Sequence, residues 1–180
     1  TAQVIEATGH VRNGLRFQVG AGATALRVAK EVGKGMAQAG VRGRFIAGGI
    51  TQTSVKMHQA GLFERLYNVQ SFDRAAVEDY AQNPLHTAMN AAQYASPSHP
   101  DPIAQQLDVV VLGAAEVDLM FNVNVTTTSQ GRIIGGSGGH ADTAAGATLT
   151  IVTMPLRAKG AARVVQQVRH ITTPGSHVDV

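Results

Sequence analysis

Residues 135–147 read Gly-Gly-Ser-Gly-Gly-His-Ala-Asp-Thr-Ala-Ala-Gly-Ala, and this glycine loop is the most informative segment for the fold. Four glycines within five residues follow the apolar run 132–134 and precede small residues that can begin a helix. Such a cluster is expected where the backbone takes a positive φ or lies against a ligand. Backbone amides between a strand and a helix can bind an oxyanion, a thioester carbonyl or a phosphate. A plain strand-to-helix turn is the alternative.

The composition is that of a compact globular domain with few charges. The chain has 180 residues, of which 44% are hydrophobic and 4% aromatic, so small aliphatic residues must fill the interior. The formal net charge is +3. No cluster of basic and aromatic residues favours nucleic-acid binding, whereas a mild positive charge favours an anionic substrate or partner. Cysteine is absent, which excludes disulfides and cysteine-based zinc sites or nucleophiles.

The ends of the sequence indicate a cytoplasmic domain excised from a larger protein. No apolar run approaches the roughly 20 residues that span a bilayer, and the N-terminus does not resemble a signal peptide. An initiator Met is missing, and the chain stops on a strand-like run at 178–180. We therefore expect one domain over residues 1–180 that does not bind membranes. The seven histidines show no metal-ligand spacing, so no metal site is predicted.

Strands and helices are predicted to alternate along the chain. Predicted strands cover 15–19, 44–47 (stopped by glycines), 66–69, 107–112 and 149–154, and predicted helices begin near Thr24, at Thr51 or Thr53, and at Ala75. Residues 83–102 are predicted to be irregular, 121–125 and 132–134 to form a hairpin, and 164–165 and 177–180 to be extended. The alternation predicts an α/β fold with a mostly parallel open sheet flanked by helices.

Two further glycine pairs follow predicted strands. Gly20 and Gly22 lie between a strand and a helix, where their amides can bind a substrate anion. This loop lacks the third glycine of a dinucleotide fingerprint, so a nicotinamide site is not predicted. A tight turn is the alternative. Gly48 and Gly49 follow the next predicted strand and are also candidate substrate-binding residues.

Polar side chains follow the most buried predicted strand. Glu116 and Asp118 would point to one face of an extended segment, as would Asn122 and Asn124 further along. Open α/β sheets carry their chemistry at the carboxyl ends of central strands. Glu116 is therefore a candidate catalytic residue, and both asparagines are candidate substrate-binding residues. A structural hydrogen bond is the alternative for each.

Two polar residues of the glycine loop, which follow its four clustered glycines, complete this set. His140 can donate a hydrogen bond to an anion, and Asp142 can contact a substrate or cap the following helix.

Several of these segments together resemble the citrate lyase alpha subunit. The matching residues are 122–125, 135–147, 69–73, 93–95, 47–51, 173–176 and 178–179. The similarity covers almost the whole chain but only the second half of that subunit. It implies a CoA-transferase fold of the NagB/RpiA-like type, in which this chain is the C-terminal half of a two-domain subunit.

The resemblance implies the transferase component of a citrate lyase complex. In that reaction citrate displaces acetate from an acetyl thioester on an acyl carrier protein, the gamma subunit, whose prosthetic group derives from dephospho-CoA. A beta subunit, the citryl lyase, then cleaves the citryl thioester. The implied partners are these two subunits, the N-terminal half of the same subunit and citrate, within an oligomer. CoA or the carrier's prosthetic group would be a substrate, with no tightly bound cofactor.

A wider similarity reaches the acetate-type CoA-transferases. Their counterpart of residues 138–142 lends a backbone amide to the oxyanion site, which makes Gly138 and Gly139 candidate catalytic residues; Arg44 is a candidate for binding citrate. The nucleophilic glutamate of those enzymes aligns near Gly48, and no carboxylate occurs between Arg42 and Leu62. This departure favours direct attack of citrate on the thioester without an acyl-enzyme.

A second departure concerns residues 155–160, Pro-Leu-Arg-Ala-Lys-Gly, where the family usually carries Pro-Leu followed by Val-Arg-Gly-Arg. The basic charge is retained but displaced. Two alternative functions remain open. One is an acyl-CoA transferase or hydrolase for another carboxylate such as malonate. The other is a non-catalytic docking module for the carrier protein and the lyase subunit.

Overall fold

The computed structural model describes residues 1–158 and 160–180, in which short strands and helices alternate. The strands are β1 (Arg16–Val19), β2 (Gly43–Ile50), β3 (Phe63–Ser71), β4 (His86–Ala88), β5 (Val109–Gly113), β6 (Glu116–Asp118), β7 (Val123–Asn124), β8 (Leu149–Thr153), β9 (Arg157–Ala158), β10 (Ala161–Ala162) and β11 (Val164–Val165). The helices are α1 (Ala2–Ala7), α2 (Ala23–Ala39), α3 (Gln52–Gln59), α4 (Arg74–Gln82), α5 (Ala91–Ala95) and α6 (His140–Gly146). Two 3₁₀ helices cover Ile103–Gln106 and Gly175–His177.

The main sheet has six strands in the order β4-β3-β2-β1-β5-β8, and every pairing in it is parallel. β11, β6 and β7 form a small mixed sheet, and β9 pairs with β10. The predicted α/β fold with a mostly parallel sheet is confirmed.

The main sheet is buried on both faces, because its strands carry apolar residues at successive positions. In β5, Val109 and Val111 belong to the cluster under α1–α4, whereas Val110 and Leu112 belong to the cluster under α6. Alternate residues of β2 divide in the same way, with Ile46 in the first cluster. The sheet therefore separates two apolar layers, as a doubly wound fold requires.

The long helix α2 follows from its apolar spacing. Val28, Val32 and Met36 recur every four residues and are buried, and Gly40 ends the helix in the left-handed conformation at φ 63°. The helix begins at Ala23, close to the predicted start, but the N-cap is Gly22 and not Thr24, and the Gly22 carbonyl accepts the Leu26 amide at 2.9 Å.

Three other expectations need correction. The region predicted to be irregular contains β4 and α5, and α5 begins at a capping box in which Asn90 and Gln93 bond each other's backbone amides. The predicted hairpin is wrong, because β7 pairs with β6; only an isolated bridge joins Thr127 to Ile133. Finally, β2 does not stop at its glycines but continues to Ile50.

The C-terminal residues lie beside the edge strand β8. The Val152 amide donates to the Val180 carbonyl at 2.7 Å, and the Val180 amide donates to the Thr150 carbonyl at 3.2 Å. The predicted extended character of 177–180 holds only in part, because Gly175–His177 is a 3₁₀ turn.

Candidate functional site

The main sheet reverses its strand order at β1, with β2 on one side and β5 on the other. In open parallel sheets, ligands bind outside the carboxyl ends of the strands at such a switch point. Gly20 directly follows β1, and its amide donates to the Val111 carbonyl of β5 at 2.8 Å. The crevice at the carboxyl ends of β1, β2 and β5 is therefore the candidate site.

The glycine loop reaches this crevice through two side chains. His140 lies 2.9 Å from the Gly113 carbonyl at the end of β5 through its Nε2 atom. Tyr94 of α5 packs on Gly139, and its hydroxyl accepts a hydrogen bond from Gln18 Nε2 of β1 at 2.8 Å. The predicted clustering of the glycine loops at one edge of the sheet is confirmed.

The two central glycines of the loop are required for different reasons. Gly138 takes φ 53°, a left-handed conformation, with open space where a side chain would lie. Gly139 takes φ −87°, and its Cα faces the Tyr94 ring. Among the described residues, neither amide donates a hydrogen bond. Both amides are therefore available to an oxyanion, and their catalytic role stays a prediction.

The Gly48-Gly49 pair makes a bulge in β2, where the register with β3 shifts between the two residues. Gly48 takes φ 99°, and a Cβ on it would lie 3.1 Å from the Gln18 amide oxygen. That oxygen is buried and has no hydrogen-bond partner among the described residues. Phe72 fills the space beside Gly49. At this point the crevice is therefore lined by the backbone of Gly48 and Gly49 and not by side chains of these residues.

The loop Gly20-Ala21-Gly22 leads directly into the 17-residue helix α2. Nothing lies within 4 Å of a side chain placed on Gly22. The N-terminus of a helix of this length favours a negative charge. The predicted anion-binding role of Gly20 and Gly22 is compatible with this geometry and stays a prediction.

The sequence suggested that His140 donates a hydrogen bond to an anion, but both of its ring nitrogens already have partners within the domain. Its Nε2 donates to the Gly113 carbonyl, so its Nδ1 accepts from the Thr173 hydroxyl at 2.7 Å. Burial lowers the pKa of His140, and the bond to the Gly113 carbonyl only partly opposes this. The neutral ring joins α6, β5 and the Thr173 segment.

Two other predicted ligand-binding side chains, Asp142 and Arg44, lie in different places. Asp142 is exposed on the first turn of α6, makes no hydrogen bond to the described residues and does not cap the helix, because Gly139 is the N-cap. Arg44 lies near the amino end of β2, at the opposite edge of the sheet, beside Arg12 and Asp108. Arg44 opens the predicted strand 44–47, so the carboxyl-end rule already placed it away from the site.

Glu116 is a buried carboxylate at the start of β6, three residues after the end of β5. Only 6% of the residue is exposed, and its Oε2 accepts a long hydrogen bond of 3.3 Å from Asn124 Nδ2. The same Asn124 nitrogen donates to the Thr127 carbonyl and hydroxyl, both at 3.0 Å. Asn124 is fully buried and orients Glu116, so its predicted contact with substrate is not supported.

Asp118 and Asn122 brace the turn between β6 and β7. Asp118 accepts from the amides of Met120, Asn122 and Val168 and from Asn122 Nδ2. Burial raises the pKa of Asp118, but the hydrogen bonds from Val168 and Asn122 outweigh it, and the pKa is lowered. Asn122 Oδ1 also accepts from the Gly175 amide at 3.0 Å. Both residues hold this turn together, and the predicted substrate-binding role of Asn122 stays a prediction.

Two cavities meet at Glu116, and each carries an arginine that the sequence reasoning missed. One of about 480 Å³ is lined by Glu116, Ser129, Gln167 and Arg169. The other, of about 310 Å³, is lined by Glu116, Thr127 and Arg163. Arg163 donates to the Ala115 carbonyl at 3.0 Å. These arginines follow very short strands with no motif spacing, so only the fold brings them to Glu116.

The described residues contain no helix long and apolar enough to cross a membrane. In the same part of the chain, no group of three or more histidine or acidic side chains is arranged to hold a metal ion. The basic run at 155–160 includes Lys159, which lies outside the described residues; Arg157 donates to the Gly160 carbonyl at 3.0 Å.

Solved structures share this architecture. A Streptococcus mutans structure described as the alpha subunit of citrate lyase in complex with citrate superposes with a TM-score of 0.95 at 37% identity, covering 99% of this chain and 35% of that one. A Pseudomonas malonate decarboxylase hetero-tetramer in complex with malonate gives 0.71 at 14% identity, covering 98% and 40%, and shows the fold alone. The parallel sheet and its glycine loops define an α/β domain of the CoA-transferase type.

The sequence comparisons are more specific. The family model "Citrate lyase, alpha subunit" matches residues 1–180. The citrate lyase alpha chain of Klebsiella pneumoniae is 44% identical over 179 residues, which are 99% of this chain and 35% of that protein. The chain belongs to the citrate lyase alpha subunit family, and it spans about a third of the length of the curated relatives it matches.

Proposed function

We propose that this chain supplies part of the active site for the transferase step of citrate lyase, in which citryl replaces acetyl on a CoA-like thioester. Family membership supports the assignment to a citrate lyase component. The crystallised Streptococcus mutans relative is described in complex with citrate, which favours citrate as the carboxylate substrate here.

The conformation of Gly48 carries the mechanistic part of the proposal. Related CoA-transferases are expected to place a nucleophilic glutamate near this position. Here φ is 99°, and a side chain would meet the Gln18 amide. Only glycine adopts such a φ without strain. The backbone therefore disfavours a carboxylate nucleophile at this point, and direct attack by bound citrate is the mechanism it supports.

Direct attack requires two chemical steps. A citrate carboxylate oxygen attacks the acetyl thioester carbon, the C–S bond breaks, and a mixed anhydride and a thiolate form. The thiolate then attacks the citryl carbonyl of the anhydride, a new C–S bond forms, and acetate leaves with one oxygen that came from citrate. No residue of the chain becomes acylated.

The protein then has to position two anions and stabilise oxyanions. Proximity contributes roughly 7–11 kcal/mol in well-oriented reactions. Each oxyanion donor contributes on the order of 2.7–4 kcal/mol. The unpaired amides of Gly138 and Gly139 are the candidate donors. Arg163 and Arg169 line the cavities beside Glu116, and their guanidinium groups match the fork geometry of carboxylates. They replace Arg44 as the candidate residues for citrate.

The partners follow from the same proposal. The thioester would be carried by an acyl carrier protein with a CoA-derived arm, and a lyase subunit would consume the citryl thioester. CoA chemistry would enter as substrate and not as a resident cofactor. Residues outside this chain would complete the site, since the relatives are almost three times as long.

Citrate affinity in the whole protein that carries this chain tests the proposal. We expect citrate to bind more tightly than malonate or acetate. Arg169→Ala should weaken citrate binding by roughly tenfold or more, because a hydrogen bond to a charged group is worth roughly 1.5–3 kcal/mol. Arg132→Ala removes an exposed arginine that does not line these cavities and is the matched control. Preference for malonate would favour a different acyl transferase, and unchanged affinity in Arg169→Ala would remove this cavity from the site.

A further inference from the structure

A further polar cavity lies at the amino edge of the main sheet, opposite the candidate active site. Its volume is about 430 Å³, and it is lined by Arg12, Asn13, Arg16, Arg44, Gln106 and Asp108, together with Gly14. We call it the arginine cavity. None of its residues takes part in the proposed transfer reaction.

Asp108 fixes two of the three arginines. Arg16 approaches it in a fork, with Nη2 2.8 Å from Oδ1 and Nε 3.1 Å from Oδ2. The Arg16 amide also donates to Oδ2 at 2.8 Å, and Arg12 Nη2 lies 3.4 Å from Oδ1. Burial raises the pKa of Asp108, but the bonds from Arg16 outweigh it and keep the carboxylate charged. The Arg16 guanidinium is therefore held in place before any ligand binds.

The positive charge of the cavity exceeds what Asp108 neutralises. Three guanidinium groups face one carboxylate among the lining residues, which leaves a formal excess of two positive charges. Arg44 makes no ion pair within the described part of the chain. A guanidinium carries five N–H donors, of which Arg16 uses two and Arg12 one on Asp108. Several charged donors therefore remain for a ligand.

The loop that carries Arg12 and Asn13 is tied to β2. The Gly14 amide donates to the Arg42 carbonyl at 2.8 Å, and the Arg42 amide donates to Asn13 Oδ1, also at 2.8 Å. The side-chain NH₂ of Asn13 makes no bond to the described residues. A rigid loop with unused charged and amide donors is arranged for an acceptor-rich anion.

We propose that the arginine cavity binds the phosphate group of a small molecule. A phosphate dianion matches the excess charge and accepts the forked hydrogen bonds of arginine. The volume lies within the range of small-molecule sites. This site is independent of the transferase proposal, because it lies at the other edge of the sheet and shares no residue with it.

Calorimetry with pyrophosphate as the probe, using the whole protein at low ionic strength, tests the proposal. Salt screens exposed charges, so a low ionic strength is needed. Arg44→Ala should weaken pyrophosphate binding by about tenfold. Among the described residues, the Arg44 side chain makes no hydrogen bond or ion pair to Asp108, Arg12 or Arg16, so the fold should persist; circular dichroism checks this. Arg44→Lys keeps the charge but loses the forked hydrogen bonds, so its affinity for pyrophosphate should lie between those of the unmodified protein and Arg44→Ala.

The matched control is Arg65→Ala, since Arg65 is exposed on the neighbouring strand β3 and does not line the cavity. It should change the affinity for pyrophosphate by less than about twofold, because a distant surface charge contributes little to binding. Hydrogen exchange at residues 12–16 should slow when pyrophosphate binds.

Three results would overturn the proposal. Equal weakening by Arg65→Ala would indicate diffuse electrostatic attraction. A larger Arg44→Ala effect on citrate than on pyrophosphate would indicate a polycarboxylate ligand. Absence of pyrophosphate binding, with no protection at 12–16, would remove the site.

Discussion

Tyr94 occupies the space that a side chain on Gly139 would need. A Cβ on Gly139 would lie 2.5 Å from Tyr94 Cε1 and 3.1 Å from its hydroxyl. Tyr94 is itself held by Gln18 of β1, and burial raises its pKa to about 12, so it is a neutral phenol near neutral pH. The position of the glycine loop is therefore coupled to the central strand through one aromatic ring.

Replacing Gly139 with Val should abolish most of the transfer activity of the whole protein. The Val side chain would collide with the Tyr94 ring and displace the loop. Backbone strain is not the cause, because φ at Gly139 is negative and tolerates a side chain. The measurement is the transfer rate per folded molecule, with the melting temperature recorded beside it. Gly136→Ala, which meets nothing within 4 Å, is the control and should retain its rate. A destabilised Gly139→Val protein with near-normal turnover would show that the loop is only structural.

No acyl-enzyme should form on this chain. After incubation with acetyl thioester, hydroxylamine or borohydride should leave every glutamate unmodified. In a single turnover with citrate labelled in its carboxylates with ¹⁸O, acetate should carry one labelled oxygen. An adduct or ¹⁸O on Glu116 would place the protein in the covalent class, and unlabelled acetate would contradict direct attack.

Folding stability should decrease as the pH falls below about 6.5, the ordinary histidine pKa. The pKa of His140 is lowered in the folded state by burial, so the unfolded chain binds the proton more readily and acid favours unfolding. His86, whose pKa burial also lowers, contributes in the same direction. His140→Gln should flatten the dependence in denaturant titrations between pH 5 and 7, values that bracket the histidine range. His170 is exposed, so His170→Gln should leave the pH dependence of stability unchanged.

Replacing Asp118 should mainly lower the folding stability, whereas replacing Glu116 should mainly lower the transfer rate. Asp118→Asn weakens bonds to the Val168 amide and Asn122 Nδ2, so unfolding should be easier by about 3 kcal/mol. Its rate per folded molecule should change little. Glu116→Gln should reduce the rate with a smaller loss of stability. A variant of Asp118 that stays stable but inactive would reverse these assignments. The exposed Asp142→Asn serves as a surface control, with an effect within about 0.5 kcal/mol.

The parallel core could be predicted because its signals are local and long. The apolar run at 107–112 became β5, and the spacing of Val28, Val32 and Met36 became one face of α2. The strand β4 has three residues, too few to show a period, and its pairing with β3 is set by tertiary contact. The capping box at Asn90 and Gln93 was a readable signal for α5.

The candidate site was predicted less completely because hydrogen-bond partners depend on distant segments. His140 faces Thr173, and Asp118 faces Val168, each across many residues of sequence. Residue type indicated that His140, Asn122 and Asn124 could bind a ligand, but only the fold showed that their polar atoms were already engaged. The same holds for Arg163 and Arg169, which have no motif and gain significance only from their position beside Glu116.

The central place of β1 has a consequence for synthesis on the ribosome. Arg16 at the start of β1 and its partner Asp108 are separated by 92 residues. At about 5–20 residues per second, several seconds pass before β5 emerges to pair with β1. Through that interval an apolar strand edge is uncovered within a nascent chain that already holds β2 and β3. Slow translation or heat during this interval should therefore increase the binding of chaperones to the nascent chain.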